Sequence, residues 1–100
     1  MTVEFFEAAR FDLNKSNSYY SNIDPDLGNH FLDDIENALY DIEYHPKASA
    51  VHQDNPHLRL KTTKRFPFII IYHPDFESDI VYIVAIAHQK RKPDYWKDRL

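Results

Sequence analysis

Cysteine is missing from this chain, glycine occurs once, and no apolar run approaches the ~18 residues that a membrane-spanning helix needs. The first absence excludes a disulfide framework, a thiolate nucleophile and a cysteine-ligated zinc site. It suits a reducing cytoplasm, the expected location. With Gly28 as the single glycine, neither a Walker loop nor a Gly-x-Ser-x-Gly elbow can be built. No basic-plus-apolar stretch opens the chain as a secretory signal would. No membrane partner is expected.

What is present reads as one globular domain over residues 1–100. The composition is 43% hydrophobic and 15% aromatic, which argues against disorder. A chain of 100 residues can bury one core without staples. Its net charge of -4 is unevenly spread: residues 1–50 hold three basic and ten acidic residues, residues 51–100 nine basic and six acidic. An acidic layer beside a basic one can still steer a polyanion to the basic side, although solvated acidic helix faces would give the same imbalance.

Six prolines punctuate the chain. Thr2 to Phe6 reads as a strand, at an edge or inserted in a sheet. Residues 7–21 read as a helix with Phe6, Ala9, Leu13, Tyr20 and Ile23 on one stripe and Glu7, Asp12 and Lys15 elsewhere. Asp24-Pro25 starts a second helix, with Asp24 as cap and Pro25 in the first turn. Leu27, Phe31, Ile35, Ala38, Leu39 and Ile42 form its apolar face, while Asp33, Asp34 and Glu36 read as surface. His45-Pro46 ends it. The short connection makes the two helices an antiparallel hairpin.

Residues 47–56 read as a polar loop. Residues 57–63 alternate, with Leu58, Leu60 and Thr62 on one face and Arg59, Lys61 and Thr63 on the other, as in a half-buried strand. Phe68 to Tyr72 and Ile80 to Ala87 are continuous apolar strands, joined by a turn over His73–Asp79 that contains Pro74. Such continuity needs cover on both faces: the hairpin on one, a terminal segment on the other. Pro93-Asp94 opens a short last helix. The expected fold is α+β, in the order β-α-α-β-β-β-α, with an N-terminal strand and an antiparallel helical hairpin on a largely antiparallel sheet.

Two constellations could carry chemistry. Arg59, Lys61, Lys64, Arg65, Lys90, Arg91 and Lys92 can gather if the strands pair as consecutive hairpins, and such a set grips phosphates. Tyr72, Tyr82, Tyr95 and Trp96 could stack on single-stranded bases, or serve the core. The second is His88, Arg91 and Tyr95. Metal-free RNA cleavage by the 2′-hydroxyl needs a proton acceptor, a proton donor and positive charge on the phosphate. His88 could be base or acid, Arg91 and Arg65 could stabilise charge, and Lys61 or Tyr95 could be the second proton partner. Alternatively, His88 only hydrogen-bonds the C-terminal segment and Trp96 only plugs the sheet. His52 and His57 have a zinc-like spacing without a supporting motif, so no metal and no cofactor is expected.

Taken in order, several motifs resemble the RelE/ParE superfamily of type II toxin–antitoxin modules, most closely its ParE-like plasmid-stabilisation group. They are Tyr19-Tyr20, Phe31-x3-Ile35 with Ala38, Ile42-x2-His45-Pro46, Arg59, Phe66-Pro67-Phe68, and Ala85-Ile86-Ala87-His88 followed by Arg91-x-Pro93-x-Tyr95-Trp96. The resemblance implies a cytoplasmic, growth-arresting toxin held in a hetero-oligomer by a cognate antitoxin. RelE-like members cut mRNA on the ribosome. For that activity the matching catalytic candidates here are Arg59 or Lys61, Arg65, Arg91 and Tyr95, with His88 added from its own chemistry. ParE-like members poison DNA gyrase, and the His88…Arg91-x-Pro93 ending resembles that group. Arg59, Lys64, Lys90, Lys92 and Trp96 are the expected substrate or partner contacts. A non-toxic binding relic is the third possibility.

Overall fold

The computed structural model describes residues 1–92 and 94–100. The elements are β1 (Thr2–Phe5), α1 (Glu7–Ile23), α2 (Pro25–Tyr44), β2 (Ala50–Val51), β3 (Arg59–Thr62), β4 (Phe68–Asp75) and β5 (Ile80–His88), then a 3-10 turn at Lys97–Arg99. The strands form one sheet in the order β1-β5-β4-β3-β2. All neighbours are antiparallel except β1, which runs parallel to β5 at the edge. This is the expected α+β architecture.

The helical hairpin forms where the sequence asks for it. Asp24 separates the helices, and its carboxylate accepts the Asp26 N–H at 3.0 Å while Pro25 occupies the first turn. Gly28 lets them approach: a Cβ there would stand 2.0 Å from the Ser21 Oγ and 3.1 Å from its Cα. The hairpin covers one face of the sheet. Ala9, Phe31, Ile35, Ala38 and Ile42 pack on Phe68, Ile70, Tyr72, Val81, Ile83 and Ile86. A ring cluster of Tyr20, Phe31, Phe66 and Phe68 closes one end, with centroids 4.9–5.5 Å apart for most pairs. On the opposite face, Leu58, Ile71, Val84, Ala85 and Ala87 are covered by Trp96, with Tyr95 beside it. The terminal segment therefore supplies the second cover that the continuous strands require.

Four expectations change. Ala50–Val51, inside the expected loop, pairs with Leu60 and Arg59 as a two-residue edge strand, too short to carry a period. Pro74 lies within β4, not in the turn, and faces Val81. The β3 ladder has already ended at Tyr72, so the missing N–H breaks no bond on that side. The last element is a 3-10 turn over Lys97–Arg99; the Pro93 part of the expected helix start lies outside the described residues. Ile23, placed on the core stripe, is the last residue of α1 and is 62% exposed.

The central ladder carries one irregularity. The β4–β5 register shifts between Ile71 and Tyr72, which face Ala85 and Ile83, so Val84 has no partner across the ladder.

Candidate functional site

Two acids placed off the apolar faces of the helices are buried. Asp12 is 6% exposed and Asp34 is 4% exposed. Asp34 turns from α2 to the β3–β4 connection and accepts the backbone N–H groups of Lys64, Arg65 and Phe66 at 3.2, 3.1 and 2.8 Å. A carboxylate collecting successive amides fixes that turn and leaves the Lys64 and Arg65 side chains in solvent. Asp12 does more. It accepts from the Ile86 N–H at 3.1 Å and the Tyr95 hydroxyl at 3.3 Å, and takes both Arg99 terminal nitrogens, at 2.6 and 3.0 Å. Arg99 also donates to the Val84 carbonyl at 3.1 Å, the residue the ladder skips. The Asp12 carboxylate, ahead of any other influence, raises the Arg99 pKa. This pair clamps the C-terminal segment to α1 and β5.

Next to that clamp, α1 and the end of the sheet enclose a cleft of about 490 Å³. Tyr20, Phe68 and Ile86 form its apolar lining, and Lys15, His88 and Arg91 supply the cationic and titratable groups. His88 lies edge-on to Phe68, with centroids 5.2 Å apart. Its Nδ1 accepts the Lys90 N–H at 3.0 Å, so the ring proton of the neutral form sits on Nε2. The Arg91 guanidinium lies 3.6 Å from the Tyr95 ring centroid, a close cation–π stack. Burial, followed by the Asp12 charge, pushes the Tyr95 hydroxyl above its ordinary 10.0. That hydroxyl therefore stays protonated at neutral pH and donates to Asp12.

The other basic residues lie elsewhere. Arg59 donates to the Lys47 and Ser49 carbonyls at 3.0 and 2.8 Å and holds the loop before β2. Lys61 pairs with Asp41 of α2 at 3.4 Å. It stands on β3, with β4 between it and the β5 strand that carries His88, a separation of about two strand spacings or 10 Å. Lys90 and Lys92 are exposed beside Arg91, and Trp96 is 4% exposed within the second core. Thus His88, Arg91 and, through its ring, Tyr95 come together, while Arg59 and Lys61 are engaged elsewhere and the Arg65 side chain is exposed in the β3–β4 turn.

Sequence reasoning missed Lys15, Asp12 and Arg99. An acid directly before Leu13 of the apolar stripe was the available signal for Asp12. Among the described residues, only His52, Asp54 and Asp94 bring three ligand-type atoms within 4.8 Å of one another. Both His52 nitrogens are occupied, since Nδ1 accepts the Asp54 N–H at 3.1 Å and Nε2 meets Asp94 at 3.1 Å. Neither ring nitrogen keeps a lone pair for an ion in this arrangement.

A family model described as the ParE toxin of type II toxin-antitoxin system, parDE, matches residues 3–93. Among solved structures, a chain from the chromosomal ParDE TA system from P. aeruginosa is similar in fold. It has a TM-score of 0.73 and 19% identity, over 88% of this chain and 95% of that one. No curated protein matches the sequence.

Proposed function

Since the chain belongs to the ParE toxin family of type II toxin–antitoxin systems, we propose that it arrests growth by poisoning DNA gyrase and is neutralised by a cognate antitoxin. The preference for gyrase over mRNA cleavage rests on the proton partners. Metal-free RNA cleavage needs a base and an acid on opposite sides of one phosphate. Lys61 and Tyr95, the two candidates for the second role, are engaged with Asp41 and Asp12, and β4 separates Lys61 from the strand that carries His88. Both side chains named for that second role thus already have a carboxylate partner within the fold.

The test is direct. Purified chain added to gyrase should stall supercoiling and accumulate broken DNA. Gyrase that works unimpaired would sink the proposal. Ribosome-dependent mRNA cleavage is the runner-up, favoured by the Lys15, His88 and Arg91 groups around the cleft. On programmed ribosomes the expected outcome is intact mRNA; cut mRNA abolished by Arg91→Ala would reverse the order of the two readings.

A further inference from the structure

The two ends of the sheet carry opposite charge. Phe68 pairs with His88 at one end of the β4–β5 ladder and Asp75 with Ile80 at the other, about 23 Å away at a strand's rise per residue. The far turn holds Asp75, Glu77 and Asp79 and no lysine or arginine. At the near end, the β3–β4 turn supplies Lys64 and Arg65, and the exit of β5 supplies Lys90, Arg91 and Lys92. The Gln89 N–H donates to the Pro67 carbonyl at 2.8 Å and ties the two basic segments together. Asp34 fixes the first through three amides, and the His88 Nδ1 fixes the second through the Lys90 N–H.

All five cations are exposed, and among the described residues none lies within salt-bridge distance of a carboxylate. In a chain of net charge -4, this end alone draws a polyanion, and the acidic far turn orients its approach. The rim spans two strand spacings, on the order of 10 Å, and a duplex presents about one charge per 1.7 Å of its axis, so several phosphates are met at once. Neither segment offers a free ring. Phe66 and Phe68 pack into the core cluster, the Tyr95 ring is taken by Arg91, and Trp96 is buried. Single strands are gripped by stacking on such rings, whereas a duplex backbone needs charge alone.

We infer that this end of the sheet binds the phosphate backbone of double-stranded DNA, without reading its bases, through Lys64, Arg65, Lys90, Arg91 and Lys92. Titrating a short fluorescent duplex with the full chain and following anisotropy supplies the test. Affinity should fall about a hundredfold or more between about 50 and 200 mM salt, as counterion release from four or five phosphates requires. Lys64→Glu with Arg65→Glu, and separately Lys90→Glu with Lys92→Glu, should each weaken binding by about tenfold or more. No binding at low salt, a Kd that neither folded variant moves, or tighter binding to single-stranded RNA of equal length would each overturn the inference. If the variants do not fold, the salt dependence of the parent chain decides, and a flat one overturns it. Duplex binding by a chain that leaves gyrase unimpaired would keep this site and sink the gyrase reading; gyrase poisoned by a chain that holds no DNA would do the reverse.

Discussion

The β3 side and the β5 side of this sheet carry similar basic residues and use them differently. On the β3 side, Arg59 is bonded to two loop carbonyls and Lys61 to Asp41, so both side chains are engaged within the fold. On the β5 side, one buried carboxylate, Asp12, takes Arg99, and leaves Lys15 and Arg91 facing a cleft. The difference lies in the supply of internal acceptors near each set. A basic residue here faces open space only where no internal acceptor, carboxylate or carbonyl, takes it.

Removing that carboxylate is the strongest way to break the contrast. Asp12→Ala would leave the Arg99 guanidinium without its main partner and the Ile86 N–H without an acceptor. The expected loss is about 3–5 kcal/mol, because stripping one partner from a buried ion pair strands the other. Urea denaturation followed by Trp96 fluorescence measures it. A loss below 1 kcal/mol (on the order of one surface pair) would mean that solvent replaces the clamp. Asp34→Ala tests the β3 side in the same way. Three amides lose a shared acceptor, but the turn at Lys64–Phe66 is partly open to water, so about 2 kcal/mol is expected. Exchange of those three amides should accelerate while that of Ile86 does not.

These two acids also show what could be read from the chain and what could not. The hairpin was legible because caps and apolar spacing are local: Asp24-Pro25 and the Phe31–Ile35–Ala38–Ile42 stripe lie within one helix. The central strands and the need for a terminal cover were legible from continuous apolar runs. The burial of Asp12 and Asp34, both placed off the apolar faces, was not legible, because their partners lie 74–87 and 30–32 residues away along the chain. Helical periodicity assigns a face; it does not reveal a distant amide or guanidinium that makes burial of a carboxylate favourable. Pro74 failed for a related reason: its tolerance depends on where a neighbouring strand ends. At the candidate site, His88, Arg91 and Tyr95 were legible as a group because they fall within eight residues at the end of one strand. Lys15, which shares their cleft, comes from the first helix and needed the tertiary fold.

A smaller effect sharpens the β3 side. Lys61→Met keeps the aliphatic stem and removes a half-exposed ion pair with Asp41. Exposed pairs contribute about 0.5 kcal/mol or less. Growth arrest should persist, since that lysine faces α2 and not the cleft. Loss of toxicity with stability intact would instead return Lys61 to the functional surface.

The smallest effect concerns the outer fastening of the terminal segment. Asp94 meets His52 at 3.1 Å and Lys97 at 3.3 Å, beside the His52–Trp96 ring contact. The His52 hydrogen bond, then Lys97, hold the Asp94 carboxyl below its ordinary 3.8. Below that value the unfolded chain takes up the proton before the folded one does. The stabilisation is therefore complete above the ordinary carboxylate range and is lost as pH falls through the lower folded value. Asp94→Asn isolates the charge. Asn keeps nearly the same shape and tolerates the φ of 63° found there. Parent and variant should differ slightly in urea midpoint near neutral pH and converge in acid, below 3.8. A difference that persists unchanged into that acid range would mean that shape, not charge, holds the segment, and the contrast between the two sides would then rest on Asp12 alone.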